Sequence, residues 1–165
     1  MSGYRPNRPY EFQSGQNEGK TVEQLMFNDY SKIHYMLTQS NKRSSANKNI
    51  LHKHLLWIFA QAKTRKPTET CRMCGKNTVK YFSVVPGRLY ASFSSAFMCC
   101  GDKKCMRELS GEAHGHSVSF MRIEFDSILH FSKKGDQKRV ADLLKQAYGL
   151  PKRLTRGRLF NFFSE

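Results

Sequence analysis

The chain has 165 residues, with 28 Lys and Arg against 13 Asp and Glu, and a formal net charge of +15. Such an excess repels itself in a compact protein and favours a polyanionic partner, nucleic acid before an anionic membrane surface. The content of 39% hydrophobic and 12% aromatic residues excludes a basic disordered tail. The sequence contains no apolar run long enough to predict a membrane span, and the polar N-terminus lacks a secretory signal. We therefore expect a cytoplasmic protein.

The N-terminal third predicts an irregular arm followed by two helices. Residues 1–17 are rich in Pro, Gly and polar types, and residues 18–66 form the two-helix segment. Thr21 and Gln24 have capping-box spacing, and an apolar stripe then continues at helical spacing to about Gln39. A second helix is predicted over 48–63, ending before Pro67, with these residues facing inward: Ile50, Leu51, His54, Leu55, Ile58 and Phe59.

Three motifs in this region carry a family resemblance. They are Phe12-Gln-Ser-Gly15, Gly19-Lys-Thr-Val-Glu-Gln-Leu25 and Asp29-Tyr-Ser-Lys-Ile-His-Tyr35. Residues 10–40 thereby resemble the accessory C-terminal domain of exodeoxyribonuclease X type proteins, although Asp29-Tyr30 stands where an Asp-Pro pair is common. The resemblance implies an association with nucleic-acid processing. It does not imply nuclease activity, because the catalytic domain of that family is a separate module.

Four cysteines in two close pairs, Cys71 with Cys74 and Cys100 with Cys105, predict a metal site. The segment between the pairs reads as a β-hairpin over 79–98, which would bring four thiolates together around one structural zinc ion. Strand alternation favours Cys100 over the adjacent Cys99 as the third ligand, and Cys99 is then a buried free thiol. The alternatives are a disulfide set or a redox Cys-x-x-Cys motif, but the odd number of five cysteines and the strand after the motif favour neither.

Residues 67–112 therefore form a predicted zinc finger, and residues 71–109 look like a treble-clef or zinc-ribbon finger. Met106 and the residues after it are expected to begin a helix directly after Cys105. Met26 and Met36, further upstream, are expected in the core. The fold class is α+β: a small zinc-stabilised domain with N-terminal helices, a zinc-bound β-hairpin and a C-terminal basic helix, most simply one compact unit.

The C-terminal segment 113–165 predicts a strand, a basic helix and a tail. Residues 117–126 alternate apolar with charged types, and Asp136 is placed to cap a helix that Gly149 and Pro151 terminate. Nine basic residues are the candidate phosphate contacts: Lys133, Lys134, Lys138, Arg139, Lys145, Lys152, Arg153, Arg156 and Arg158. A second basic run comprises Lys42, Arg43, Lys48, Lys53, Lys63, Arg65 and Lys66.

These features predict a non-catalytic, zinc-binding accessory protein that binds nucleic acid, DNA in preference to RNA, and serves a nucleic-acid-processing enzyme. An RNA-guided nuclease is one conceivable host, and a second copy of the chain is another candidate partner. One alternative is a divalent-cation-dependent nuclease built from Glu124 and Asp126, on one strand face, with His114 and His116. Another is a protein adaptor that docks through the aromatic residues 159–163.

Overall fold

The computed structural model describes residues 4–42, 50–85, 88–89, 98–111 and 118–165. They divide into two compact units. The N-terminal unit comprises Met1–Arg65 together with Arg153–Glu165, and the central unit comprises Lys66–Lys152. The chain thus leaves the first unit and returns to it at its C-terminal end, so the predicted segment 113–165 is shared between the two units.

The second half of the predicted irregular arm is organised by backbone hydrogen bonds. Phe12 N–H donates to the Lys20 carbonyl at 3.0 Å, and Gly19 N–H donates to the Phe12 carbonyl at 2.9 Å. A short 3₁₀ turn, Gly15–Asn17, joins the paired segments, and Glu11 forms an isolated antiparallel bridge with Thr21. This pairing leads the chain directly into the first helix.

The capping box at Thr21 is confirmed. Gln24 N–H donates to Thr21 Oγ1 at 3.2 Å, and the Gln24 side-chain oxygen accepts from Thr21 N–H at 2.9 Å. The prediction of one helix to Gln39 is wrong, because the helix α1 (Val22–Asn28) ends at Asp29 and α2 (Tyr30–Lys42) follows. Asp29 has an extended φ of −156°, while its carbonyl already accepts from the first turn of α2. Met26 is buried as predicted, whereas Met36 is half-exposed.

The helix α3 (Ile50–Thr64) packs against α2 through most of the face that the sequence predicted. His54, Leu55, Ile58 and Phe59 are buried, but Ile50 is 66% exposed, contrary to its predicted inward position. Ile50 is the first residue of the helix, where one side chain can point away from the packed face without disturbing the stripe behind it. The stripe therefore defines the buried face from His54 onward.

A buried ion pair joins α1 to α3. The Glu23 carboxylate accepts a hydrogen bond from His54 Nε2 at 2.7 Å, and both side chains are essentially inaccessible to solvent. The hydroxyl of Tyr4 lies 3.4 Å from the other ring nitrogen of His54. His54 was predicted to face inward, and its burial confirms this. Because both side chains are buried, each depends on the other for a hydrogen-bond partner.

The C-terminal residues form a helix, α6 (Arg156–Ser164), and do not form the extended tail that the sequence suggested. Thr155 caps it by accepting from Arg158 N–H at 3.3 Å, and Leu159 and Phe163 are buried in the N-terminal unit. Arg65 donates to the Phe163 carbonyl at 3.2 Å. The adaptor hypothesis is weakened, because two of the residues it would use to dock belong to the core of this unit.

The central unit is organised around strand β1 (Tyr81–Val85). On one edge, β1 pairs antiparallel with β4 (Ser119–Arg122); on the other it pairs with both β2 (Arg88–Leu89) and β3 (Met98–Cys99). Val84 pairs with Leu89, so an uninterrupted hairpin would pair Phe82 with residue 91. Phe82 instead pairs with Met98. The predicted hairpin is therefore present at its two ends, and residues 90–97 lie outside the described part of the chain.

The helix α4 (Lys103–Gly111) follows β3, and α5 (Lys134–Ala147) follows β4 through a 3₁₀ helix, Phe125–His130. The predicted strand over 117–126 is thus too long, because extended pairing stops at Arg122. Asp136 does not cap α5 as predicted; it lies in the first turn of a helix that begins at Lys134. The predicted end is confirmed, since Gly149 takes a left-handed φ of +67° just after the helix. The inward face is also confirmed: Val140, Leu143, Leu144 and Ala147 are buried.

We predict that Glu23→Ala lowers the free energy of unfolding by about 3 kcal/mol, because it leaves His54 buried without its acidic partner. Urea denaturation followed by circular dichroism measures the change. Glu18→Ala is the matched control, since Glu18 is exposed, and its effect should stay within about 0.5 kcal/mol. Equal effects of the two substitutions would contradict a stabilising role for the buried pair.

Candidate metal centre

The four predicted ligands Cys71, Cys74, Cys100 and Cys105 lie together in the central unit. Their sulfur atoms are all within 4.8 Å of one another, and the Cys74 and Cys100 sulfurs are 3.9 Å apart. A tetrahedron with metal–sulfur bonds of about 2.3 Å has sulfur–sulfur edges of about 3.8 Å. All five cysteines are free thiols, so the cluster is not a disulfide set. The cluster therefore has the donor set and the dimensions to hold one metal ion.

The first cysteine pair is held by a tight backbone turn. Gly75 N–H donates to the Cys71 carbonyl, and Cys71 N–H donates to the Asn77 carbonyl, both at 2.7 Å. Gly75 has a left-handed φ of +63°, which a glycine adopts without strain. The backbone N–H groups of Asn77 and Lys76 hydrogen-bond to the Cys74 sulfur and lower the pKa of this thiol to about 6. Cys74 is thereby prepared to act as a thiolate ligand near neutral pH.

The second pair begins where β3 ends. Tyr81 of β1 is paired with Cys99, and the Lys80 N–H donates to the Cys99 carbonyl at 2.7 Å. Cys99 is buried away from the cluster, and burial raises the pKa of its thiol. Cys100 is the next residue along the chain and points its sulfur into the cluster. The alternation argument that favoured Cys100 over Cys99 as the third member therefore identified the residue that the structure places there.

Gly101 makes the turn between Cys100 and α4 possible. Its φ is +88°, and a Cβ at this position would lie 2.4 Å from the ring of Tyr81. Both the left-handed backbone and the close approach to a side chain on β1 exclude larger residues at this position without strain. The turn and the sheet are thus fitted to each other at the edge of the cluster.

The last cysteine lies within the first turn of α4. The helix begins at Lys103, three residues earlier than predicted, and Asp102 caps it by accepting from Lys104 N–H at 2.8 Å. Cys105 is buried, and burial together with hydrogen bonds that its thiol donates to the neighbouring sulfurs raises its pKa. Backbone N–H donors thus favour the Cys74 thiolate, whereas burial favours the protonated form of Cys105, and a bound cation would favour the thiolate form of both.

Four sulfur ligands leave no coordination position for water or substrate, which is the arrangement of structural metal sites. Soft thiolate ligands in a tetrahedron suit zinc or iron–sulfur chemistry and disfavour magnesium or calcium. Three of the four cysteines are buried and Cys74 is half-exposed, so the cluster lies just beneath the surface. A metal held here would stabilise the fold.

The nine predicted phosphate contacts are divided between the two units, with Lys152 and the residues before it in the central unit and Arg153, Arg156 and Arg158 in the other. Lys145 is half-buried and pairs with Asp142 at 2.8 Å, and Arg139 lies 3.6 Å from Asp136. All of the nine except Lys145 are exposed.

Arg156 was predicted to be a phosphate contact, but it already has an acidic partner. It forms an ion pair with Glu11 at 2.8 Å and donates to the Gly19 carbonyl at 2.5 Å. Glu11 belongs to the N-terminal arm, so Arg156 ties the arm to α6. Its role is therefore structural in part, and it is the weakest of the nine as a phosphate contact.

The residues of the nuclease hypothesis are not arranged as predicted. Glu124 precedes the 3₁₀ helix and Asp126 lies inside it, so they do not share one face of a strand. Both side chains are exposed. His114 and His116 lie outside the described residues. Within the described part of the chain, the cysteine cluster is the one group of at least three potential metal ligands found together.

Sequence reasoning missed a cluster of aromatic side chains in the N-terminal unit. Tyr10, Trp57 and Phe160 come from the arm, α3 and α6, and the structure brings them together around His54. Residues so far apart along the chain leave no local spacing pattern. The one available signal was that the sequence contains a single tryptophan among many aromatics.

Comparisons with protein-family models, curated proteins and solved structures find no match for this chain. Among the residues that the structure describes, no helix is both long enough and apolar enough to cross a membrane. The cysteine cluster and the charged and aromatic surfaces are therefore the basis for assigning a function.

We predict one zinc ion per chain by elemental analysis after purification without chelator. Cys105→Ser should lose the metal and unfold the central unit, because structural zinc contributes roughly 10 kcal/mol to the folding of small sites. Cys99→Ser is the matched control and should retain the metal. Loss of zinc from Cys99→Ser with retention in Cys100→Ser would show that the ligand set is wrong.

A second prediction concerns the turn beside Tyr81. Gly101→Ala should destabilise the zinc-loaded protein by at least about 1–2 kcal/mol, since alanine is strained at this φ and its Cβ meets the ring. Gly111→Ala is the control, because Gly111 lies in α4 with open space around it. Chemical denaturation and the rate of zinc transfer to a chromogenic chelator measure both variants. Faster transfer in Gly111→Ala than in Gly101→Ala would contradict this role of the turn.

Proposed function

We propose that this protein is a non-catalytic, zinc- and nucleic-acid-binding accessory protein of a DNA-processing or nuclease system. One observation supports this proposal most: several exposed basic side chains of the central unit have no acidic partners among the described residues. A metal ion would hold this unit together. The zinc is structural, because a closed set of four thiolates fixes the backbone and leaves no position for a reacting group.

The positive charge belongs to both units. The N-terminal unit has 13 Lys and Arg against 5 Asp and Glu, and the central unit has 15 against 8, so their net charges are +8 and +7. A charge needed only for solubility need not be so large in both units. Two basic units in one chain favour a long polyanion, which can contact both at once, over a small anionic ligand.

The start of α5 is the best-supported phosphate surface. Lys133, Lys134 and Lys138 are exposed, and none has an acidic side chain within ion-pairing distance among the described residues. Lys134 and Lys138 are one helical turn apart and so lie on one side of α5. Their stems are free to reach successive phosphates of a nucleic-acid backbone. The exposed Lys152 follows the other end of α5 and is a further candidate phosphate contact of the same unit.

The accessory role rests on the resemblance of residues 10–40 to the small domain of exodeoxyribonuclease X type proteins. The resembling residues include the paired segment around Glu11 and Thr21 and the capped start of α1. That resemblance favours DNA over RNA and a nucleic-acid-processing enzyme as the partner, with an RNA-guided nuclease as one conceivable host. The nuclease alternative has less support, because Glu124 and Asp126 do not form a common face.

We predict that replacing Lys133, Lys134, Lys138 and Lys152 together by Gln weakens nucleic-acid binding and lowers its salt dependence. Each phosphate contact that is lost should lower the steepness of log affinity against log salt by roughly 0.7 to 0.9. The loss of four contacts should therefore flatten the slope by about three units. Fluorescence anisotropy of labelled DNA at several salt concentrations measures both quantities.

The matched control carries the same charge change on other parts of the central unit, with Gln at four exposed positions: Lys66, Lys76, Lys80 and Arg107. We expect this variant to retain most of the slope. Equal slopes in the two quadruple variants would show that net charge alone, and not the α5 surface, governs binding. Wild-type protein that binds no DNA or RNA at low salt would overturn the proposed function.

A further inference from the structure

A row of aromatic rings lies in the N-terminal unit around His54. The ring centroids of Tyr10 and Trp57 are 5.8 and 5.1 Å from that of His54, and Phe160 lies 6.0 Å beyond Trp57. Tyr4 contacts the same histidine edge-on at 6.3 Å. We call Tyr4, Tyr10, Trp57 and Phe160 the aromatic row: the first three contact His54, and Phe160 contacts Trp57.

The rings of the aromatic row are half-exposed, whereas the histidine beneath them is buried. Tyr4, Tyr10, Trp57 and Phe160 all keep part of their surface open to solvent, but His54 is only 1% exposed. His54 is fixed in turn by its 2.7 Å hydrogen bond to the buried Glu23. The rings that contact His54 therefore pack against a side chain that is held in place. This preorganisation lowers the entropy cost of binding a ligand to the rings.

Basic side chains flank the aromatic row. Arg5 follows Tyr4 directly, Arg8 is two residues before Tyr10, and Lys53 precedes His54; all three are exposed. None of them has an acidic partner within ion-pairing distance among the described residues. Consecutive Cα atoms are about 3.8 Å apart, so the Cα atoms of these three residues lie within about 8 Å of that of Tyr4, Tyr10 or His54. The surface thus combines flat apolar faces with free positive charges.

We propose that the aromatic row stacks the unpaired bases of single-stranded nucleic acid, with Arg5, Arg8 and Lys53 contacting its phosphates. Alternation of rings and positive charge is the chemistry of surfaces that bind single strands, because every base has a face that can stack on an aromatic ring. A duplex hides those faces inside its own base stack and presents only phosphates and groove edges. The inference rests on the proposed function and adds to it the preferred strandedness.

Trp57 offers a direct test, because it is the only tryptophan in the sequence. Its emission is measured in the full-length, zinc-loaded protein during titration with four probes: a 12-nucleotide oligo(dT), a 12-nucleotide oligo(U), a 12-base-pair DNA duplex and inorganic polyphosphate. We expect both single strands to quench the emission. The duplex and the polyphosphate should bind with little quenching, and the comparison of dT with U separates DNA from RNA.

Variants separate stacking from charge. Tyr10→Leu and Phe160→Leu should each weaken single-strand binding roughly 5- to 100-fold, the range for losing one stacked base, with little effect on duplex binding. Tyr10→Phe keeps the ring and should bind like the wild type. Tyr35→Leu is the control outside the row, since Tyr35 lies on α2 and is 62% exposed. Thermal melts confirm that each variant is folded, and Phe160→Leu carries the test if Tyr10→Leu does not fold.

The outcomes distinguish this inference from the proposed function. Single strands that bind by anisotropy without quenching Trp57, or that bind no tighter than the duplex, would overturn the aromatic row as a base-stacking site and leave nucleic-acid binding intact. Equal losses in Tyr10→Leu and Tyr35→Leu would overturn it as well. If no probe binds the wild type, both proposals are wrong.

Discussion

The constraint on which the central unit depends is the closeness of four thiol groups. Thiolates whose sulfur atoms lie within 4.8 Å of one another repel each other, so a bound cation is needed for all four to be ionised together. The cluster joins the turn before β1 to the end of β3 and the first turn of α4. Within the described residues, the ladder between β1 and β3 is two residues long, and a metal ion would add a link between β3, α4 and the turn before β1.

The N-terminal unit is held together differently, because the C-terminal segment of the chain packs within it. The helix α6 packs against α1 and α3, Arg156 binds Glu11 in the arm, and the buried Glu23–His54 pair joins α1 to α3. The elements that close this unit also bring the aromatic row together, because one of its rings comes from α6. Folding and the proposed base-stacking surface therefore depend on the same contacts. In the central unit, the cysteine cluster joins segments that are distant in the chain.

Local signals were readable from the sequence and long-range contacts were not. The capping box at Thr21, the inward stripe of α5 and the choice of Cys100 over Cys99 follow from spacing and alternation, and the structure contains all three. The break at Asp29 and the 3₁₀ helix after Arg122 were missed, because neither carries Pro or Gly and the apolar periodicity continues across both. The contacts of Arg156 and those within the aromatic row join segments more than 40 residues apart in the chain. No local sequence pattern encodes such contacts.

The central claim is that four cysteine thiolates hold one zinc ion and organise the central unit. X-ray absorption at the zinc edge of the purified protein tests it most directly, because it reports the type, number and distance of the ligand atoms. The account predicts four sulfur neighbours at about 2.3 Å and no nitrogen or oxygen in the coordination shell. A shell of mixed sulfur with nitrogen or oxygen, or a protein that folds without bound metal, would contradict it.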